Sequence, residues 1–273
     1  MDAGIFAKTF RRGSLGETLD AVAAHGIEAI QFNMAIVGGP SLPAEITGDT
    51  AREIRAAVAA RGLTVAAVSG TYNMAHPDPR IRDAGADRLA ALIAAAPHLG
   101  TSVVTLCTGS RDPEDMWRAH PDNAGAEAWR DSLEQIAAAL AVAERHDVVL
   151  AFEPEHNNVV ADAPAGGRLL DTLRSPHLKV VLDAANLIRP GELERQEETL
   201  RDAFERLGDD LALAHAKDVL PDGTVVPAGL GGLDYTLYVD LLDEAGYGGP
   251  LVLHGLPEEQ VPASAKYVRE HLA

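Results

Sequence analysis

Short apolar runs recur along the chain, each entered from a helical segment through a tight turn: "AHGIEAIQF", "ARGLTVAAV", "HLGTSVVTLC", "ERHDVVLAF", "SPHLKVVL", "LGDDLALAH" and "YGGPLVLH". The runs are apolar on successive residues rather than on alternate ones. That is how a strand covered on both faces reads, as in a parallel sheet. Gly26, Gly62 and Gly100 stand where a helix C-terminus calls for positive φ. Between the runs lie amphipathic stretches. Leu89, Leu92, Ile93 and Ala96 follow helical spacing, as do Trp129, Leu133, Ile136 and Leu140, and later Leu237, Leu241 and Ala245. With the opening "AGIFAK" the pattern gives eight strand–helix units in 273 residues, about 34 per unit (273/8). This predicts a single (β/α)8 barrel spanning residues 1–273. A doubly wound open sheet is the competing arrangement. It calls for a glycine-rich phosphate turn after the first strand, and "KTFRRGSLGE" contains no GxGxxG.

The connections are unequal. Turns from helix into strand are short, whereas 34–49, 108–124, 154–166 and 216–234 are long. In a barrel those loops share the C-terminal face, where active sites are built. The residues that end the later runs are therefore informative. The fifth run ends in Glu153, the sixth in Asp183, the seventh in His215 and the eighth in His254. Their spacings of 30 (153 to 183), 32 (183 to 215) and 39 (215 to 254) are each about one strand–helix unit. Four consecutive strands thus deliver Glu, Asp, His and His to one rim. A lone Asp or His at a strand end is ordinarily a cap or a hydrogen-bonded structural residue. Four at unit spacing point instead to a shared divalent cation, for which these are hard or borderline ligands.

Composition narrows the picture. At 47% hydrophobic the chain can fill one sizeable core. No apolar stretch approaches the ~18 residues of a membrane span, and "MDAGIFAKTF" does not read as a signal peptide. Cys107 is the only cysteine, which suits a reducing cytoplasm. The formal net charge is −18, and no run of basic residues exceeds Arg11–Arg12. Neither nucleic acid nor an anionic membrane is an expected partner.

Taken together, "NMAHPDP", "LAALIAAAPHLGTSVVTLCTG", the "FEPE" around Glu153, "VVLDAAN" around Asp183, "HAKD" at 215–218 and "GLGGLDY" at 229–235 identify a resemblance. Over nearly its whole length the chain resembles the xylose isomerase-like TIM barrels, the sugar phosphate isomerase/epimerase superfamily. Tagatose 3-epimerase, hydroxypyruvate isomerase and inosose dehydratase are members. The resemblance implies Glu153, Asp183 and His215 as metal ligands, and matches Lys217–Asp218 to the family's Lys-Asp pair. Two positions depart from the pattern. Many members carry a metal-binding, proton-moving Glu at the end of strand eight, where this chain has His254; many carry a His where this chain has Asn186. His254 is accordingly expected to complete the metal site, while the loss of that Glu removes the second carboxylate of a symmetric relay.

The expected chemistry follows. A divalent ion, Mn²⁺ foremost with Mg²⁺, Co²⁺ or Zn²⁺ as alternatives, polarises a hydroxy-ketone and acidifies the adjacent C–H. Isomerisation or epimerisation then needs an acid and a base. Glu153 is retained; Glu155, His156, Lys217 and Glu258 are replacement bases, with Glu155 and Lys217 the preferred pair. Asn33, Asn73, His76, His156, Asn157 and Asn186 are candidates to read sugar hydroxyls, and Trp117, in the 108–124 loop, to stack on a sugar face. A structural reading stands beside each: Asn is a common turn former, and Trp117 could simply pack its loop. The reading is a metal-dependent sugar, keto-sugar or keto-inositol isomerase or epimerase, cytoplasmic, acting in carbohydrate metabolism, with a homodimer left open. A metal-dependent lyase or dehydratase is the alternative, since elimination needs only one base. An apurinic endonuclease-like phosphodiesterase and a non-catalytic sugar-binding protein stand further off.

Overall fold

Eight parallel strands close on themselves in the computed structural model, which describes residues 1–272. They are β1 (Ala3–Phe6), β2 (Ala29–Phe32), β3 (Thr64–Ser69), β4 (Val103–Leu106), β5 (Val149–Phe152), β6 (Leu178–Asp183), β7 (Leu211–Val219) and β9 (Leu251–Leu253). Each pairs with the next in parallel register, and β9 closes the ring between β7 and β1. The predicted (β/α)8 barrel is therefore the fold. The helices α1 (Leu15–Ala24), α2 (Gly48–Ala59), α3 (Pro79–Leu99), α4 (Ala126–His146), α5 (Ala163–Leu173), α6 (Ala184–Leu187), α7 (Gln196–Leu207), α8 (Tyr235–Glu244) and α9 (Val261–Leu272) follow the strands. Among the described residues, no helix is long and apolar enough to cross a membrane.

The local signals act as their chemistry requires. Ser14, Thr47, Asp78, Asp162 and Asp234 cap five of the helices by accepting backbone N–H groups of the first turn. Gly100 ends α3 at φ +92°, a conformation that costs other residues strain. Leu89, Leu92, Ile93 and Ala96 are all fully buried beneath α3.

Inside the barrel the strands' period of two sorts side chains into tiers. One tier is apolar: Ala67, Ala151, Val181, Leu213 and Val252, with Phe6 and Val103 packed against it. Two residues further along their strands come Ser69, Glu153, Asp183, His215 and His254, and Thr105 holds the same place after Val103. The upper tier is polar because it faces the mouth.

One boundary differs from expectation. The stretch 216–234 reads as loop, yet β7 continues to Val219 and is met by an antiparallel strand, β8 (Val225–Pro227). The sharp reversal at "PDGT" makes this possible. Leu220 and Thr224 pair across the turn, and Gly223 sits at φ +87°. Lys217 and Asp218 are consequently strand residues, whose side chains leave the backbone on opposite sides.

Candidate metal centre

Glu153, Asp183 and His215 converge at the barrel mouth, with one donor atom from each within 4.8 Å of the others. His215 Nδ1 lies 3.2 Å from Glu153 Oε1 and 3.6 Å from Asp183 Oδ2. This orientation is fixed from behind. The Nε2–H of His215 donates to Gln31 Oε1 at 2.7 Å, and Gln31 Nε2 donates to Thr105 Oγ1 at 3.2 Å. Since Nε2 holds its proton for Gln31, Nδ1 is the nitrogen presented to the carboxylates. The Tyr238 hydroxyl donates to the carbonyls of Leu182 and His215, tying β6 to β7 beneath Asp183 and His215.

Asp183 splits its oxygens between two tasks. Oδ1 accepts the Ala185 N–H at 3.0 Å and caps α6. Oδ2 is buried and accepts no hydrogen bond; Lys217 Nζ stands 3.0 Å away as an ion partner without hydrogen-bond alignment. Asn186 links Glu153 to Lys217, donating to Glu153 Oε1 at 2.6 Å and accepting from Lys217 Nζ at 3.2 Å. Burial disfavours the Asp183 carboxylate, but Lys217 and His215 outweigh it and hold its pKa well below the usual range. Burial likewise works against the charge on Lys217, yet Asp183, Glu153 and Glu155 keep that ammonium above its ordinary value. For His215 the burial effect is overcome by Glu153 and Asp183, which raise it to about 9. Glu155 differs. Burial, then the neighbouring Glu153, push its carboxyl up to about 7 against the pull of Lys217.

This donor set fits a divalent cation on its own terms. It offers two carboxylate oxygens, one of them buried without a hydrogen bond, and an imidazole nitrogen whose tautomer is set by a neighbour. Replacing Gln31 tests the last point. Gln31→Leu is expected to weaken metal affinity about 10–100-fold, the usual cost of losing the hydrogen-bond partner behind a ligating histidine. Calorimetric titration checks it, with Gln31→Glu expected to retain affinity.

His254 is not brought into this set. Its ring lies face to face with His215, centroids 4.9 Å apart and planes 6° apart, with Phe6 stacked on it at 4.9 Å. The in-plane lone pairs of two stacked rings run in parallel planes and do not converge on one ion. The expectation of a fourth ligand is not met in this geometry. Its Nδ1 is buried without a partner, and burial, reinforced by Lys217 and His215, holds its pKa well below the ordinary histidine value.

Of the residues expected to read a substrate, Asn186 and His156 sit at the centre, with the His156 Nδ1–H donating to the Asn186 carbonyl at 3.2 Å. Asn157 is half-buried beside them, its carbonyl accepting from Asn123. Trp117 is 43% exposed in its loop. Three others are engaged in structure. Asn33 Oδ1 caps the turn at 34–37. Asn73 Oδ1 accepts the N–H groups of Ala75 and Ser110. His76 accepts from Asp78 N–H and donates to the Pro113 carbonyl. Irregular loops leave backbone groups needing partners, and these side chains supply them. Asp218 does the same: its carboxylate accepts the N–H groups of Val219, Gly229 and Leu233, holding the "GLGGLDY" loop. A side chain at Gly231 would run into it, since a Cβ there would lie 2.2 Å from Asp218 Oδ1.

Sequence reading missed Gln31 and Thr105. The signal was present as a single polar residue inside "AIQF" and inside "VVTL".

A family model described as xylose isomerase-like TIM barrel matches residues 19–271. Solved structures share the fold across essentially the whole chain. A D-tagatose 3-epimerase-like protein aligns with a TM-score of 0.78 at 15% identity, covering 100% of this chain and 97% of the other. The 3-keto-D-glucoside 4-epimerase of E. coli gives 0.74 at 17%, covering 99% of each. An IOLI protein solved with a bound zinc atom gives 0.75 at 15%, covering 100% and 96%.

Proposed function

The chain belongs to the xylose isomerase-like TIM barrel family, and from that premise we propose that it is a divalent-metal-dependent isomerase or epimerase of keto-sugars or keto-inositols. The observation that carries the reading is the convergence of Glu153, Asp183 and His215 on one point of the barrel mouth. The epimerase activities named for similarly folded proteins support it, as does the zinc in one of them. Mn²⁺ is the proposed ion, with Mg²⁺, Co²⁺ or Zn²⁺ as alternatives. When bound, the ion would polarise the substrate carbonyl and stabilise the enediolate formed by loss of the neighbouring proton.

The remaining work falls to the chain's own groups. Glu155, its carboxyl at about 7, is suited to take a proton from carbon and return it near neutral pH. Lys217 offers an ammonium to a developing oxyanion. Asn186 keeps Glu153 and Lys217 at fixed distance. His156 and Asn157 are the proposed readers of hydroxyls, and Trp117 is proposed to stack on a sugar face.

A second reading has one observation in its favour. The strand-eight position carries His254 stacked on His215 rather than a free carboxylate. A single effective base suits a lyase or dehydratase, which eliminates a β-substituent after the same proton abstraction. Proton NMR in D₂O against a panel of keto-sugars and keto-inositols separates the two. Deuterium entry beside the carbonyl with an isomeric product is the expected result, abolished by a chelator. An unsaturated product would move the assignment to the lyase, and no exchange with any substrate would overturn both.

A further inference from the structure

A divalent ion at this centre and the ammonium of Lys217 would claim the same oxygens. Lys217 Nζ stands 3.0 Å from Asp183 Oδ2 and 3.7 Å from Glu153 Oε1, and donates to Asn186 Oδ1. The residue is 9% exposed. Its backbone is anchored, with the carbonyl accepting the Tyr235 hydroxyl at 2.7 Å. On one side its stem runs past Gly255, where an added Cβ would lie at ordinary contact distance, 3.5 Å, from Lys217 Cδ.

A carboxylate-bound metal sits about 2.0–2.2 Å from its oxygens. An ammonium still in contact with those oxygens would then be only a few ångströms from the ion, with their like charges opposed in a partly buried site. The two occupancies exclude one another. We infer that Lys217 is an internal counter-cation that competes with the divalent ion for Asp183 and Glu153, and that loading the ion turns the ammonium out to the substrate. The inference rests on the metal-dependent reading above and adds an order to it. The lysine keeps two neighbouring carboxylates together, so the ion enters by exchange into a formed site. Its own donor function toward a sugar oxyanion is released only in the loaded protein.

Calorimetric titration with Mn²⁺, after dialysis against a chelator, tests this on wild type, Lys217→Met and Lys217→Arg, with melting curves before and after loading. Lys217→Met is expected to bind Mn²⁺ at least tenfold more tightly. Its metal-free form should melt below wild type and gain more on loading. Lys217→Arg, which keeps the charge, should not gain affinity. If Lys217→Met fails to fold, Lys217→Gln replaces it as the neutral variant. One ion bound by wild type, with equal or weaker binding by the neutral variant, overturns the inference and leaves the metal reading standing. Binding by the neutral variant alone overturns metal dependence of the wild type, and with it the release of the ammonium on loading. Binding by neither overturns both.

Discussion

Asp183→Asn is expected to leave the folded protein without stoichiometric divalent metal and without turnover. Asp183 contributes a buried anionic oxygen that accepts no hydrogen bond, at the point where three donors meet. The substitution replaces that charge with an amide. The loss of affinity should exceed the 10–100-fold that removal of an outer hydrogen-bond partner costs. Asparagine is the informative choice, because its side-chain oxygen can still accept the Ala185 N–H that caps α6. The fold should then survive, and circular dichroism should be unchanged. Elemental analysis and calorimetry decide the matter. Full metal content at native affinity would place the ion elsewhere.

The second large effect is on stability. Asp131 is 5% exposed on the inner face of α4 and faces three guanidinium groups, the exposed Arg130 at 3.4 Å and two largely buried ones. Arg111 Nη2 is 2.9 Å away and Arg82 Nη2 3.2 Å away. The same arginines reach on to the carbonyls of Ala75 and His76. The group therefore fastens the loops after β3 and β4 to the helix layer. Removing one partner of a buried pair typically costs about 3–5 kcal/mol, because the charges left behind stay desolvated. Asp131→Ala should accordingly lower the melting temperature by about 10 °C, taking roughly 2–4 °C per kcal/mol for a chain near this size. Added salt should change that difference little, since the pair is shielded from solvent. A loss below about 1 kcal/mol, read by urea unfolding, would show that the group is dispensable.

The barrel was legible because its strands are buried on both faces and its return turns are short, so eight apolar runs survive as a visible period. Glu153, Asp183 and His215 were legible for a related reason: each is a polar residue where an apolar run stops. Gln31 and Thr105 were not, because a single polar residue in an apolar run has no reading until ring closure sets β2 across from β7. Lys217 and Asp218 looked like loop residues because the β7–β8 hairpin depends on a turn whose pairing is non-periodic. His254 shares its strand-end signature with Glu153, Asp183 and His215. Its fate turns on ring orientation against His215, which spacing does not encode. Asn33, Asn73 and His76 have the chemistry of sugar readers, and the backbone of their own and the neighbouring loops uses it.

The stacking of a polar tier directly upon an apolar one has a bearing on how such a protein changes over generations. Phe6, Gln31, Ser69, Thr105, Glu153, Asp183, His215 and His254 each occupy an inward station on a separate stave, at or above the layer of Ala67, Ala151, Val181, Leu213 and Val252 that fills the barrel. Exchanging a member of the upper set alters reactivity while leaving the packed volume below intact. Innovation and robustness are thereby assigned to different residues, and a lineage can try new reactions one stave at a time. A combinatorial library confined to those eight stations would sample catalytic diversity while the packed layer below stays unchanged.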